Sequence, residues 1–476
     1  MKNSFFFLFL IFSFSCVKEN ETSLSKKIIQ DQNRFLMLDD RNIQKTSNAK
    51  LVLGEVKKHP QNPLFGEDKP WEKRFDNLYG NVIYDKENKL YKCWYSPFIV
   101  DHSAKGMTLA EREKPYKEPP NREMGICYAV SKDGITWIKP ELGLIAFEGK
   151  NNNNLIWRGP HGAGIFKDPI DTDSTRRYKT IFQGLSFSTS PDGINWAKDQ
   201  KVKGVDVAGD THNNAFWAPT LGKYVGITRS WRQKEGKNWR QVVRIESEDF
   251  LNWTKEEVVL EGEGKNDQTY AMPVFYYGGV YLGLLAIYSA DSDRTWTELA
   301  WSPDTKQWNR ISPGTALIPT SDKVLDYDYG CVYACATPIF LKDEIRFYYG
   351  GSDYLHFGWR NGSLCLATLR PDGFAGFKQK NPKQPTTIIT KSINYSGQPI
   401  QISADVETGG YIKASIINKS GEILASAKTI KDDITDGRLH FDQPLNNGQI
   451  TLKFESDQAI IYSFSFGKNY GKKIRG

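Results

Sequence analysis

Past the first few residues, the chain alternates apolar and polar positions in short runs with the two-residue period of half-buried strands. No segment beyond the N-terminus sustains a 3.6-residue apolar period, so helix content should be low. The runs come in pairs separated by a turn: Gly80 to Tyr84 with Tyr91 to Tyr95, Gly164 to Phe166 with Tyr178 to Phe182, Ala215 to Trp217 with Tyr224 to Thr228, Met272 to Phe275 with Val280 to Leu284, and Pro338 to Phe340 with Ile345 to Tyr349. After each pair comes a turn motif, Ser-x-Asp-x-x-x-Trp. It stands at Ser131 to Trp137, Ser190 to Trp196, Ser247 to Trp253 and Ser302 to Trp308, with a degenerate copy, Arg370-Pro371-Asp372-Gly373-Phe374. The aspartates are spaced by 59, 57, 55 and 68 residues, room for one four-stranded blade each. Five strand pairs and five turns predict an all-β chain with a five-bladed β-propeller over 36–382.

Asp-Gly and Pro-Asp-Gly are hairpin chemistry: the carboxylate accepts from turn amides and the tryptophan fills space between blades. These aspartates read as scaffold. From 383 to 476 the pattern changes to short alternating runs such as IQISADV and ITLKFES between Gly, Asn and Asp, predicting an accessory β-sandwich of roughly eight strands.

The N-terminus follows another rule. Met1-Lys2-Asn3-Ser4 precedes an apolar run from Phe5 to Phe14 and then Ser15-Cys16. That run is shorter than the ~20 residues needed to cross a bilayer, so 1–16 reads as a signal peptide. Cysteine at that place resembles a bacterial lipobox and implies lipidation at Cys16, export, and a membrane link through the lipid alone, at the outer membrane, cell surface or periplasm. Polar residues 17–35 read as a tether.

Composition narrows the class of partner. A net charge of +7 over 476 residues, with scattered Lys and Arg, argues against nucleic acid. Five cysteines remain after Cys16, without metal spacing, so no structural metal is expected. The 13 Trp, 23 Tyr and 26 Phe suit both sugar stacking and propeller packing.

Pro70-Trp71-Glu72, Tyr91-Lys92-Cys93-Trp94-Tyr95, Arg177-Tyr178-Lys179, Gly209-Asp210-Thr211-His212-Asn213-Asn214 and Leu366-Ala367-Thr368-Leu369-Arg370 together resemble the five-bladed propeller superfamily of glycoside hydrolases, families 32, 43, 68 and 117. The resemblance implies a monomeric hydrolase of extracellular poly- or oligosaccharides. Such an enzyme requires no cofactor; a calcium ion in the funnel is compatible but not implied. The turn motif also resembles the Asp box of sialidases, but glycine follows aspartate directly here. Arg74, Arg229 and Arg346 are the arginines a sialidase-like reading would have to use. A non-catalytic carbohydrate-binding propeller is the other alternative.

Glycosidic cleavage needs a proton donor for the leaving oxygen and a carboxylate on the other side of the anomeric centre. In a propeller these must stand at or before the innermost strands. That filter selects Asp76 and Asp210 as the central carboxylates. Asp168, in Lys167-Asp168-Pro169, resembles the superfamily's Arg-Asp-Pro motif with Lys for Arg, a turn aspartate being the alternative. One branch of the superfamily uses histidine as the acid, which brings in His356, with His161 and His212 also beside blade strands; an acidic residue of the fourth or fifth blade is the alternative acid. Glu72, Trp71, His212, Asn213, Asp267, Gln268, Tyr270, Asp328 and Trp359 are the expected substrate-binding residues.

Overall fold

The computed structural model describes residues 33–234, 236–262 and 266–467. The signal peptide, Cys16 and most of the expected tether lie outside the described residues. The fold is all-β, a propeller joined to a C-terminal sheet domain.

Five antiparallel meanders follow one another. Their innermost strands are Asn81–Asp85, Gly164–Lys167, Asn214–Ala218, Asp267–Ala271 with its continuation Val274–Tyr277, and Cys331–Ala334 with Ile339–Phe340. These strands neighbour one another in a ring, and the first touches both the second and the last. The last meander takes its outer strand from the other end of the propeller: Lys57–Lys58 and Phe65–Gly66 pair with Gly362–Leu369.

Each junction between meanders carries its own apolar cluster. Trp94, Ile165 and Tyr178 fill the first, and Ile181, Ala215 and Phe250 the second. Val225, Met272 and Leu285 fill the third, Leu282, Val332 and Phe347 the fourth, and Tyr95, Cys335 and Tyr348 the closing one. Burying such side chains contributes about 1.5–3 kcal/mol each.

The repeated turn does the local work its letters suggest. Asp192 Oδ1 accepts from the amides of Ile194 and Asn195, both at 2.8 Å, and Ser190 Oγ accepts from Gly193 N at 2.9 Å. Asp133, Asp249 and Asp304 do the same. Each turn also docks on the preceding meander. Tyr348 Oη donates to Gly134 O at 2.7 Å, Trp94 Nε1 to Gly193 O at 2.6 Å, and Arg244 Nε to Thr305 Oγ1 at 2.7 Å, while Phe250 packs on Phe166 and Phe187. The degenerate copy has another task. Asp372 is buried and accepts from Arg34, Tyr277, Ser403 and Ser463, tying the propeller to the C-terminal domain.

Innermost strands do not pair with one another, so their edges need other partners. Asn81 donates to Ala163 O at 2.7 Å and accepts from Ile165 N at 2.9 Å; Asn214 accepts from Val274 N at 3.0 Å. Crowding is severe: a Cβ on Gly164 would lie 1.7 Å from Asn213 O.

The C-terminal domain reaches further along the chain than its sequence pattern suggests. Its ten-stranded sheet includes Arg34–Leu36, Ile43–Ser47, Ala49–Leu53 and Ala375–Gln379, so a boundary at 383 divides it. The first of these strands pairs with residues 463–465 and thus occupies the end of the expected tether. The long strands Ile400–Ile417 and Gly448–Phe466 form its spine around Ile388, Ile402, Leu452, Phe454 and Phe464.

Candidate functional site

A cavity of about 530 Å³ opens at the end of the propeller where the innermost strands begin. Loops preceding those strands supply Asp76, His161 and Asp210, and the fourth innermost strand supplies Tyr270. Arg240 and Met124 come from strands Lys237–Ser247 and Glu123–Ser131, and much of the remaining wall from connections between second and third strands. Residues 101–122 contribute Tyr116, Glu118 and Arg122, and residues 353–361 contribute His356, Phe357 and Arg360. Of the four residues expected to be catalytic, the structure brings Asp76, Asp210 and His356 into one cavity.

Asp76 precedes a kink in which Leu78 and Tyr79 both take left-handed φ values, 60° and 44°. Non-glycine residues pay on the order of 1 kcal/mol or more for this conformation, and such strain concentrates at functional sites. Asp76 Oδ1 lies 2.8 Å from Arg360 Nη2 and 3.5 Å from Arg74 Nε. Burial alone would raise its pKa, but Arg360 and Arg74 outweigh it and hold the carboxyl well below the usual range. Oδ2 receives no hydrogen bond among the described residues.

Asp210 is built alike. Its Oδ2 lies 2.6 Å from Arg229 Nη2, its Oδ1 has no partner among the described residues, and its side chain is half exposed to the cavity. Each carboxylate therefore has one anchored oxygen and one open to a ligand.

His356 is buried, with Nδ1 3.1 Å from Tyr333 Oη. Burial, then the guanidinium of Arg360, push its pKa well below the ordinary value despite Asp76 nearby. Such a shift favours the neutral imidazole at pH 7 and weighs against His356 as the proton donor. His161 is likewise lowered, mainly by burial.

Tyr270 lies at the centre. The guanidinium carbons of Arg229 and Arg240 sit 4.9 and 4.8 Å from its ring centroid, and its hydroxyl accepts from Asn77 Nδ2 at 3.2 Å. Gln268 does not line the cavity; its Oε1 accepts from Arg240 Nη1 at 2.8 Å and steers that side chain.

The other expected residues are placed elsewhere. Asp168 is a buried turn aspartate 2.6 Å from Lys179 Nζ, accepting from Tyr224 Oη at 2.7 Å, so its turn reading prevails. Glu72 is buried against Tyr95 Oη (2.6 Å) and Lys139 Nζ (2.7 Å), and Trp71 donates to Asn154. His212 Nε2 donates to Asn81 Oδ1 at 3.2 Å and the ring is pulled down to about 3 by burial, while Asn213 donates to Gly162 O at 3.0 Å; both belong to the axial scaffold. Asp328 pairs with Lys58 at 2.7 Å, Asp267 lies at the outer start of its strand, and Trp359 packs on Tyr116 at 5.0 Å without lining the cavity. Of the sialidase-type arginines, Arg74 lines the cavity and Arg229 holds Asp210, but Arg346 is bound to Glu344 and Asp133 O on a different part of the ring.

Arg122, Arg240 and Arg360 were not foreseen. No local pattern sets them apart from the other basic residues; only their position at the cavity end of a strand or connection could have.

No family model and no curated protein matches the chain. Among solved structures, a β-1,2-mannobiose phosphorylase from Listeria innocua aligns at 16% identity, covering 66% of this chain and 96% of its own, with a TM-score of 0.47. A glycosyl hydrolase from Bacteroides ovatus aligns at 15% identity over 67% of this chain and 95% of its own, TM-score 0.46. The catalytic domain of a GH62 α-L-arabinofuranosidase from Coprinopsis cinerea aligns at 12% identity over 67% and 97%, TM-score 0.46. Likeness of this degree does not place the chain in a family.

Proposed function

We propose that the chain cleaves glycosidic bonds in its propeller funnel. The observation that carries this reading is the pair Asp76 and Asp210, from different blades, facing one cavity with a single open oxygen each. Asp76, kept ionised by Arg360 and Arg74, faces the positive charge that develops at the anomeric centre. Proton delivery to the leaving oxygen falls to Asp210, the half-exposed cavity carboxylate, once its open oxygen has taken a proton from solvent, the other oxygen staying on Arg229. Tyr270 lines the cavity beneath the Arg229 and Arg240 guanidinium groups and holds them there. Export and lipidation at Cys16 belong to the same proposal, supported by the apolar run ahead of that residue; Cys16→Ser should release the protein from the membrane fraction, and retention there would overturn the anchor.

The test separates the two roles. Asp210→Asn should lower turnover of alkyl glycosides by about 10²–10⁴-fold, and far less for dinitrophenyl glycosides, whose leaving group needs no proton. Asp76→Asn should lower both. Equal activity of both variants and the parent would refute the assignment, and tight binding of glycans without turnover by the parent would favour a sugar-binding protein.

A further inference from the structure

We propose that the sugar held in this funnel carries an anionic substituent, a ring carboxylate or a sulfate ester, received by Arg240 together with Arg74 and Arg360. The inference rests on the glycan-cleaving reading and adds the substrate class.

It follows from a count of charges. Arg74, Arg240 and Arg360 line the cavity, and Arg229 stands behind the Tyr270 ring. Against these four guanidinium groups stand two carboxylates. Asp76 is shared by Arg74 and Arg360, and Asp210 is taken by Arg229. Arg240 has no carboxylate within ion-pair distance among the described residues; its polar partner is the neutral Gln268. Arg122, at the rim, has Asp101 at 3.0 Å and the more exposed Glu118 at 2.8 Å, a group that carries one negative charge in excess and so offsets one of the two surplus cations without touching Arg240.

Nearby groups do not make up the difference. Glu67, behind Arg74, is pushed up to about 8 by burial and is mostly protonated at neutral pH. Asp293 accepts from Tyr288 Oη and Phe357 N and lies beyond ion-pair distance of the four arginines; Arg360 and Arg240 act on it from further off, against the burial that raises its pKa.

Surplus buried cation is expensive unless something balances it. The aromatic faces of Trp231, Tyr270 and Tyr288, 4.8, 4.8 and 5.0 Å from the Arg240 guanidinium, offset only a part. Hydrogen-bond supply points the same way: Arg74 Nε, Arg229 Nε and Nη1, Arg240 Nε and Arg360 Nε are buried without an acceptor. Sugar hydroxyls meeting the cavity-lining faces of Arg74, Arg240 and Arg360 would leave the charge standing. An oxyanion would balance it, and guanidinium forks match carboxylate and sulfate geometry.

The experiment compares matched probes by calorimetry and turnover: glucuronate- and galacturonate-terminated disaccharides, a 6-sulfogalactose-terminated disaccharide, their neutral counterparts, and inorganic phosphate alone. At least one acidic probe should bind at least about tenfold tighter than its neutral counterpart. Arg240→Gln should weaken that probe roughly 10- to 100-fold and Arg240→Lys less, with unfolding midpoints of the free protein no lower than the parent's. The preference should shrink between about 50 and about 500 mM NaCl. Which acidic probe binds tells carboxylate from sulfate. Neutral probes binding as well as acidic ones, no probe binding, or Arg240-dependent binding of phosphate alone would each overturn the proposal. Acidic probes that bind with this dependence but are not cleaved would instead overturn the hydrolytic reading and leave this one standing.

Discussion

Replacing Asp76 by Asn should cost the protein stability as well as activity. The exchange is nearly isosteric, yet it removes the carboxylate shared by Arg360 and Arg74, which are 1% and 3% exposed. Breaking a buried pair from one side leaves an uncompensated charge and costs about 3–5 kcal/mol. Over propeller residues 57–374, a per-residue unfolding entropy of about 2.1 cal/mol/K converts this into a midpoint drop of roughly 4–8 °C. Differential scanning calorimetry of parent and variant at pH 7 reads it directly. The pH dependence gives a second check. A carboxyl whose folded pKa is depressed contributes stability above its unfolded value, near 3.9, and loses it as pH falls toward the folded value. The gap between parent and variant should hold above about pH 5 and narrow below about pH 4. A variant that melts within about 1 °C of the parent at pH 7 would refute the reasoning, because the two guanidinium groups would then be balanced by something other than Asp76.

Two further outcomes follow from the same geometry. His356 is held neutral when folded, so the unfolded chain binds its proton first and stability falls as pH drops below about 6.5; His356→Gln should flatten that slope by up to about 1.4 kcal/mol per pH unit, and an unchanged slope in thermal melts would show that the ring titrates normally. Asp192→Ala removes the acceptor of two turn amides and should cost about 1–3 kcal/mol in denaturant unfolding while leaving kcat as it was, since that turn lies away from the cavity.

The parts of the molecule that were legible are those set by local chemistry. A serine, an aspartate and a tryptophan at fixed offsets describe a turn whose hydrogen bonds close within five residues, and its recurrence marks the meanders. Asp76 and Asp210 could be picked because both stand just ahead of an apolar strand. The arginines could not: Arg240 and Arg360 become neighbours of Asp76 and Tyr270 only when the ring closes. His212 and Asn213 misled for a related reason. A polar run ahead of a strand suits sugar hydroxyls, but it equally suits the unpaired edges of strands crowding an axis, and the structure uses it for the latter. The strands between Arg34 and Leu53 carry an alternation like any other, which does not say which sheet they complete.

That last arrangement bears on how the chain is made. Lys57–Lys58 and Phe65–Gly66 are synthesised early, yet their partner strand, Gly362–Leu369, emerges some three hundred residues later. Arg34–Leu36 waits longer still, for residues 463–465. The nascent chain must keep its leading strands unpaired until translation is nearly over, exposed meanwhile to wrong partners and slow to find the right ones. A chain cut after the propeller would keep the partner of Lys57–Lys58 and Phe65–Gly66 but leave Arg34–Leu36 without its own for good.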